Sequence, residues 1–107
     1  MTATKLSIYT DETVTSGDRK LFEVIAERAR NAHLAGVTVL QPKPGFGQSA
    51  HVRRGPIPGT ERSVMIEIID EEDRLRAFMT GLREVGTVGF MTLERIEVIA
   101  PTEDVER

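Results

Sequence analysis

The sequence predicts an α+β fold, a four-stranded antiparallel sheet with two helices on one face, in the order β-α-β-β-α-β. Three observations carry this. Four short stretches are apolar or alternate apolar and polar residues, as strands do. Two longer stretches repeat apolar residues at three- and four-residue spacing, as amphipathic helices do. The chain has 107 residues, of which 39% are hydrophobic, enough for one domain with a small core.

Between Thr4 and Thr10, Leu6 and Ile8 point one way and Lys5, Ser7 and Tyr9 the other, which makes a half-buried strand. The polar run that follows ends in Asp18, the expected N-cap of a helix. From Arg19, the spacing of Leu21, Phe22, Ile25, Ala26, Ala29 and Ala32 predicts a helix of about 15 residues. Phe22 belongs to its core face, and His33, near its end, favours the helix dipole. Gly36 stands where a left-handed cap wants glycine. Val37 to Leu40 is β-branched and apolar, a buried strand.

The segment from Pro42 to Arg62 is irregular and holds four of the chain's five prolines. A loop of this length is uncommon in a small domain unless it has a function or lacks order. Ser63 to Ile69 is the strongest strand signal: Val64, Ile66 and Ile68 line one face, and Met65 and Ile69 add apolar area on the other. Asp70 is the expected cap of a second helix, in which Leu75, Phe78, Met79 and Leu82 form the core stripe. The acidic run Glu71-Glu72-Asp73 fits a helix start better than a metal site. Gly86 and Gly89 bracket a tight turn, Thr92 to Ile99 is the last strand, and Pro101 to Arg107 is a polar tail. The order is that of a ferredoxin-like sandwich, here a single domain over residues 1–107. No helix remains for the second sheet face, so oligomerisation would have to cover it.

Composition excludes several chemistries. There is no cysteine, hence no disulfide, thiolate metal site or cysteine nucleophile. The two histidines, His33 and His51, are too few for a histidine-rich metal site. Apolar runs reach three residues, too short to cross a membrane, and the start lacks the apolar core of a secretory signal. A net charge of −3 argues against general nucleic-acid binding. No serine–histidine–carboxylate set or isolated carboxylate pair suggests catalysis, and we expect no enzymatic activity. The expected location is the cytoplasm.

The clearest positive feature is the long loop. Lys43, Arg53, Arg54 and Arg62 face only Glu61 there, while the chain as a whole is acidic. A basic, glycine-rich loop on an acidic body suits a phosphate or an acidic partner surface. The ordinary alternative is a solvated loop whose charges serve solubility. Gly45-Phe46-Gly47 could let backbone amides approach a phosphate, or could simply close a strand.

The runs GVTVLQPKPGFG, SVMIEIIDEEDRLRAFM and GFMTLERIEVI together resemble the PII-like signalling proteins, and within them the group called domain of unknown function 190. The similarity spans Lys5 to Ile99. It implies a homotrimer whose sheets form a central core, with a small anionic ligand, an adenine nucleotide, bound between subunits. It further implies that the loop over residues 42–62, the T-loop of that family, contacts a protein target such as a membrane transporter or channel. By this resemblance the ligand-binding residues are Thr38, Gly45, Phe46 and Gly47 at the loop base and Gly86, Thr87, Val88 and Gly89 in the turn before the last strand. Arg53 and Arg54 join them on the charge argument. Three features of nitrogen-regulatory members are missing, one of them a segment after the last strand with phosphate-binding arginines. The only tyrosine, Tyr9, lies outside the loop, and Phe90 follows Gly89 where nitrogen-regulatory members have a lysine. The alternative function is a small ferredoxin-like oligomeric enzyme with the loop as an active-site lid.

Overall fold

The computed structural model describes residues 1–41, 62–86 and 88–100. Strand β1, Thr2–Asp11, runs through the sheet and is longer than its alternation alone indicates, because it pairs on both sides. A two-residue hairpin follows, β2 (Thr15–Ser16) with β3 (Arg19–Lys20). Gly17 takes φ 66° at its turn, a conformation that glycine adopts without steric cost.

This hairpin moves the helix start. Asp18 lies in the hairpin turn and caps nothing. Helix α1, Leu21–Asn31, begins directly after β3 with Lys20 at the N-cap and no side-chain cap. It is therefore shorter than its periodicity predicts, and it buries Leu21, Ile25, Ala26 and Ala29. Phe22 lies only partly buried at the rim of this core, and Phe78 of the second helix does the same.

The end of α1 also differs from expectation. The left-handed residue is His33, with φ 60°, and Gly36 is already the first residue of the next strand. The His33 amide donates to the Arg30 carbonyl at 3.0 Å and the Leu34 amide to the Ala29 carbonyl at 3.2 Å. That pair of bonds is a Schellman motif. Its usual hydrophobic contact is supplied by Leu34, which joins Ala29 in the core.

Strand β4, Gly36–Leu40, is an edge strand rather than a buried one; Val39 and Leu40 remain 36% and 43% exposed. Strand β5, Ser63–Asp70, is central, with Val64, Ile66 and Ile68 buried beneath the helices. Helix α2, Glu72–Gly81, runs into a 3-10 turn, Leu82–Glu84, and β6, Phe90–Glu97, closes the sheet. The order across the sheet is β4-β5-β1-β6, with every pair antiparallel. This is the ferredoxin-like arrangement the sequence predicts.

Asp70 does not act as the N-cap of α2, which falls on Glu71. It ends β5, and its nearly buried carboxylate accepts the Ala35 amide at 2.9 Å and the Glu71 amide at 2.6 Å. Arg74 reaches the same carboxylate at 3.2 Å and donates to the Ala32 carbonyl at 3.0 Å. One carboxylate thus ties the turn after α1 to the entry of α2.

The face of the sheet opposite the helices carries three cross-strand rows, set by the pairing register. One is Gly36–Ile69–Lys5–Glu94, in which the Lys5 ammonium lies 3.4 Å from Glu94. The next, Thr38–Glu67–Ser7–Thr92, is polar. The third, Leu40–Met65–Tyr9–Phe90, is apolar, and its Tyr9 and Phe90 rings stack at 4.5 Å.

Candidate ligand-binding site

The sheet decides where the expected ligand residues can meet. Thr38 is exposed in the middle of β4, opposite Glu67 on the open face. Leu40, two residues on, shares its row with Phe90, the first residue of β6. The end of β4, which leads into the long loop, and the turn that feeds β6 therefore lie at the same end of the sheet. They lie on its opposite edges, three strand spacings apart, or about 14 Å. Within one chain, Thr38 and the Gly86–Gly89 turn are not neighbours. Gly45, Phe46, Gly47, Arg53, Arg54, Thr87 and His51 fall outside the described residues.

The turn itself has a clear local logic. Val85 ends the 3-10 turn, and Gly86 then takes φ 140°. Space does not demand glycine there, since an added Cβ would find its nearest neighbour, Leu21 Cδ1, at 3.9 Å. The backbone angle does demand it, because side-chain-bearing residues rarely adopt it. Val88 then packs against the core, and Gly89 is exposed before Phe90.

Gly86 and Val88 line a cavity of about 550 Å³ between α2 and the edge strand β6. Met79, Leu82 and Met91 give it an apolar floor, and Arg76, Thr80 and Arg83 a polar rim. Its volume is that of an ordinary small-molecule site. Arg76 donates from Nε to Glu72 at 2.8 Å, and this bond holds the Glu72 carboxyl below the ordinary glutamate range. Arg83 makes no ion pair among the described residues. These α2 residues escaped the sequence reading, which placed the site's positive charge in the loop. Their spacing at i, i+4 and i+7 beside Met79 and Leu82 was the available signal.

A second cavity, of about 450 Å³, lies at the other edge between α1 and β4, where Phe22 and Val39 meet Arg19 and Arg30. Arg19 is engaged with Glu27 at 2.6 Å; that bond raises the guanidinium's proton affinity and holds the Glu27 carboxyl down. Open, apolar-floored cavities rimmed by arginine thus flank both edges of the sheet.

Comparison with known proteins agrees with this architecture. The profile of one family, DUF190 (Uncharacterized ACR, COG1993), matches residues 3–98. The chain belongs to the DUF190 family. A UPF0166 protein of Aquifex aeolicus is 31% identical over 96 residues, 88% of this chain and 90% of that protein. Among solved structures, the apo form of CPII, a nitrogen regulatory PII-like protein from Thiomonas intermedia, superposes with a TM-score of 0.64 at 16% identity. That match covers 94% of this chain and 96% of CPII. CPII bound to ADP, AMP and bicarbonate gives a TM-score of 0.60 at 18% identity, covering 92% of this chain and 96% of that one. At such identities the shared property is the fold, and the fold of this DUF190 protein is PII-like. No described helix is long and apolar enough to cross a membrane.

Proposed function

We propose that this protein is a trimeric PII-like regulator of the cytoplasm. It binds an adenine nucleotide in a cleft between subunits and contacts a protein target, such as a membrane transporter or channel, through the loop over residues 42–62. The carrying observation is the placement of the two ligand-binding segments at one end of the sheet but on opposite edges. A ligand that touches Thr38 and the loop base as well as the Gly86–Gly89 turn needs the β4 edge of one chain beside the β6 edge of another. The row Leu40–Met65–Tyr9–Phe90, exposed at its two ends and half-buried between them, offers apolar area for that association. The choice of ligand is supported by CPII, which has been solved with ADP and AMP.

In this reading Gly45, Gly47, Gly86 and Gly89 let the backbone approach phosphate, Phe46, Thr87 and Val88 shape the pocket, and Arg53 and Arg54 add charge-assisted hydrogen bonds. The role is regulatory rather than enzymatic. Native mass spectrometry and calorimetry test it together. The expected result is a mass of three chains and micromolar binding of AMP or ADP without turnover. Gly86→Val, strained at φ 140°, should weaken binding at least tenfold. A one-chain mass at micromolar concentration, or no heat with AMP, ADP, ATP or cyclic nucleotides at millimolar ligand, rejects the proposal.

A further inference from the structure

We infer that Arg83, with Arg76, adds phosphate-binding charge to the ligand site from the groove between α2 and β6. The inference rests on the nucleotide reading above and assigns residues that reading does not contain. Phe90 follows the Gly86–Gly89 turn and offers no cation; in the reading above Arg53 and Arg54 reach the ligand from the neighbouring chain's loop, and a cation beside the turn in its own chain would complement them. The turn's own Gly86 and Val88 open into the cavity that Arg76 and Arg83 rim.

The two arginines are seven residues apart, Arg76 on α2 and Arg83 in the 3-10 turn that continues it, and both line the same cavity. Arg76 is held by Glu72 through Nε at 2.8 Å, which leaves its two terminal nitrogens to donate. Arg83 is exposed and makes no ion pair among the described residues, so no bond need break before it binds an anion. Most other arginines described are engaged: Arg19 with Glu27, Arg28 with Glu84, Arg74 with Asp70.

The local field makes these charges necessary. The cavity lies at the C-terminal end of α2, where the helix dipole places roughly half a negative charge and disfavours an anion. Two full guanidinium charges outweigh it. The occupant is thus the phosphate of the nucleotide; its base has no partner assigned in this groove.

Calorimetry with adenosine, AMP and inorganic phosphate separates the possibilities, on the full chain and on Arg83→Gln, Arg76→Gln and Arg95→Gln. Arg95 is a control of equal charge: its side chain is 88% exposed and pairs at 4.0 Å with the same Glu72, but it does not line the cavity. Circular dichroism and thermal melting accompany each variant. We expect Arg83→Gln and Arg76→Gln to weaken AMP tenfold or more, to leave adenosine unchanged and to abolish competition by phosphate, while Arg95→Gln binds AMP as the wild type does. If the wild type binds AMP and Arg83→Gln binds it equally, this inference fails and the nucleotide reading stands. An equal loss of adenosine and AMP, or an equal effect of Arg95→Gln, also overturns it. If the wild type binds none of the adenine compounds, both readings fall.

Discussion

His33 occupies a backbone position that sequence reasoning assigns to glycine. Its φ of 60° costs a side-chain-bearing residue about 1–2 kcal/mol. The hydrogen bonds of the Schellman motif and the burial of Leu34 hold it there. Glycine would relieve the strain and return part of that gain as unfolded-chain entropy, about 0.5–1 kcal/mol. His33→Gly should therefore raise the melting temperature by roughly 2–5 °C, scaled from a stabilisation of about 0.5–1 kcal/mol. Calorimetric melting checks this, and an unchanged or lower temperature contradicts it. Gly36 could not have revealed the cap, because a glycine five residues beyond the last helical residue, Asn31, marks the neighbourhood of the turn and not the residue that takes the left-handed angle.

At the scale of elements, the joints between helices and sheet determine more than the helices do. Neither α1 nor α2 has a side-chain cap at its N-terminus. Their placement relies on β3 leading directly into α1 and on Asp70 bridging α1 to α2. Asp70→Ala would leave the Ala35 and Glu71 amides without this acceptor and Arg74 without its anchor. A loss of about 2–3 kcal/mol is expected from bonds of this charged kind. Urea denaturation reads it as a lower midpoint with an unchanged slope; a loss below about 1 kcal/mol, the worth of a single neutral bond, would show the bridge to be incidental. The same scale explains why β4 differs from its expected burial. Val37 to Leu40 has the composition of a buried strand, but composition cannot tell a central strand from one at the sheet edge.

The described residues form a two-layer sandwich, helices on sheet, in which the second face of the sheet has no cover within the chain. Its helix side is closed by Leu6, Ile8, Ile66, Ile68 and their helix partners, all nearly inaccessible. Its other side shows Leu40, Met65, Tyr9 and Phe90 in one row. Leu40 is 43% exposed within the chain, so a charge there would cost the isolated chain little. Leu40→Asp is expected to convert the proposed trimer to single chains at micromolar concentration while the circular dichroism spectrum stays unchanged. Light scattering measures this, and an intact assembly would place the subunit interface elsewhere.

The sequence by itself determined the element order, the apolar faces of β1, β5, α1 and α2, and the family, through the runs around Gly36 to Gly47 and Ser63 to Met79. These are local properties: a two-residue or 3.6-residue period needs no knowledge of what lies across the sheet. The tertiary structure alone decided that β4 and β6 form the two edges, that Leu40 and Phe90 stand at one end of the sheet about three strand spacings apart, and that Arg76 and Arg83 rim the cavity beside the Gly86 turn. Those facts depend on pairing register and helix docking, which join residues far apart in the chain. The energies that select them belong to contacts between elements, and no stretch of the sequence read alone contains both partners.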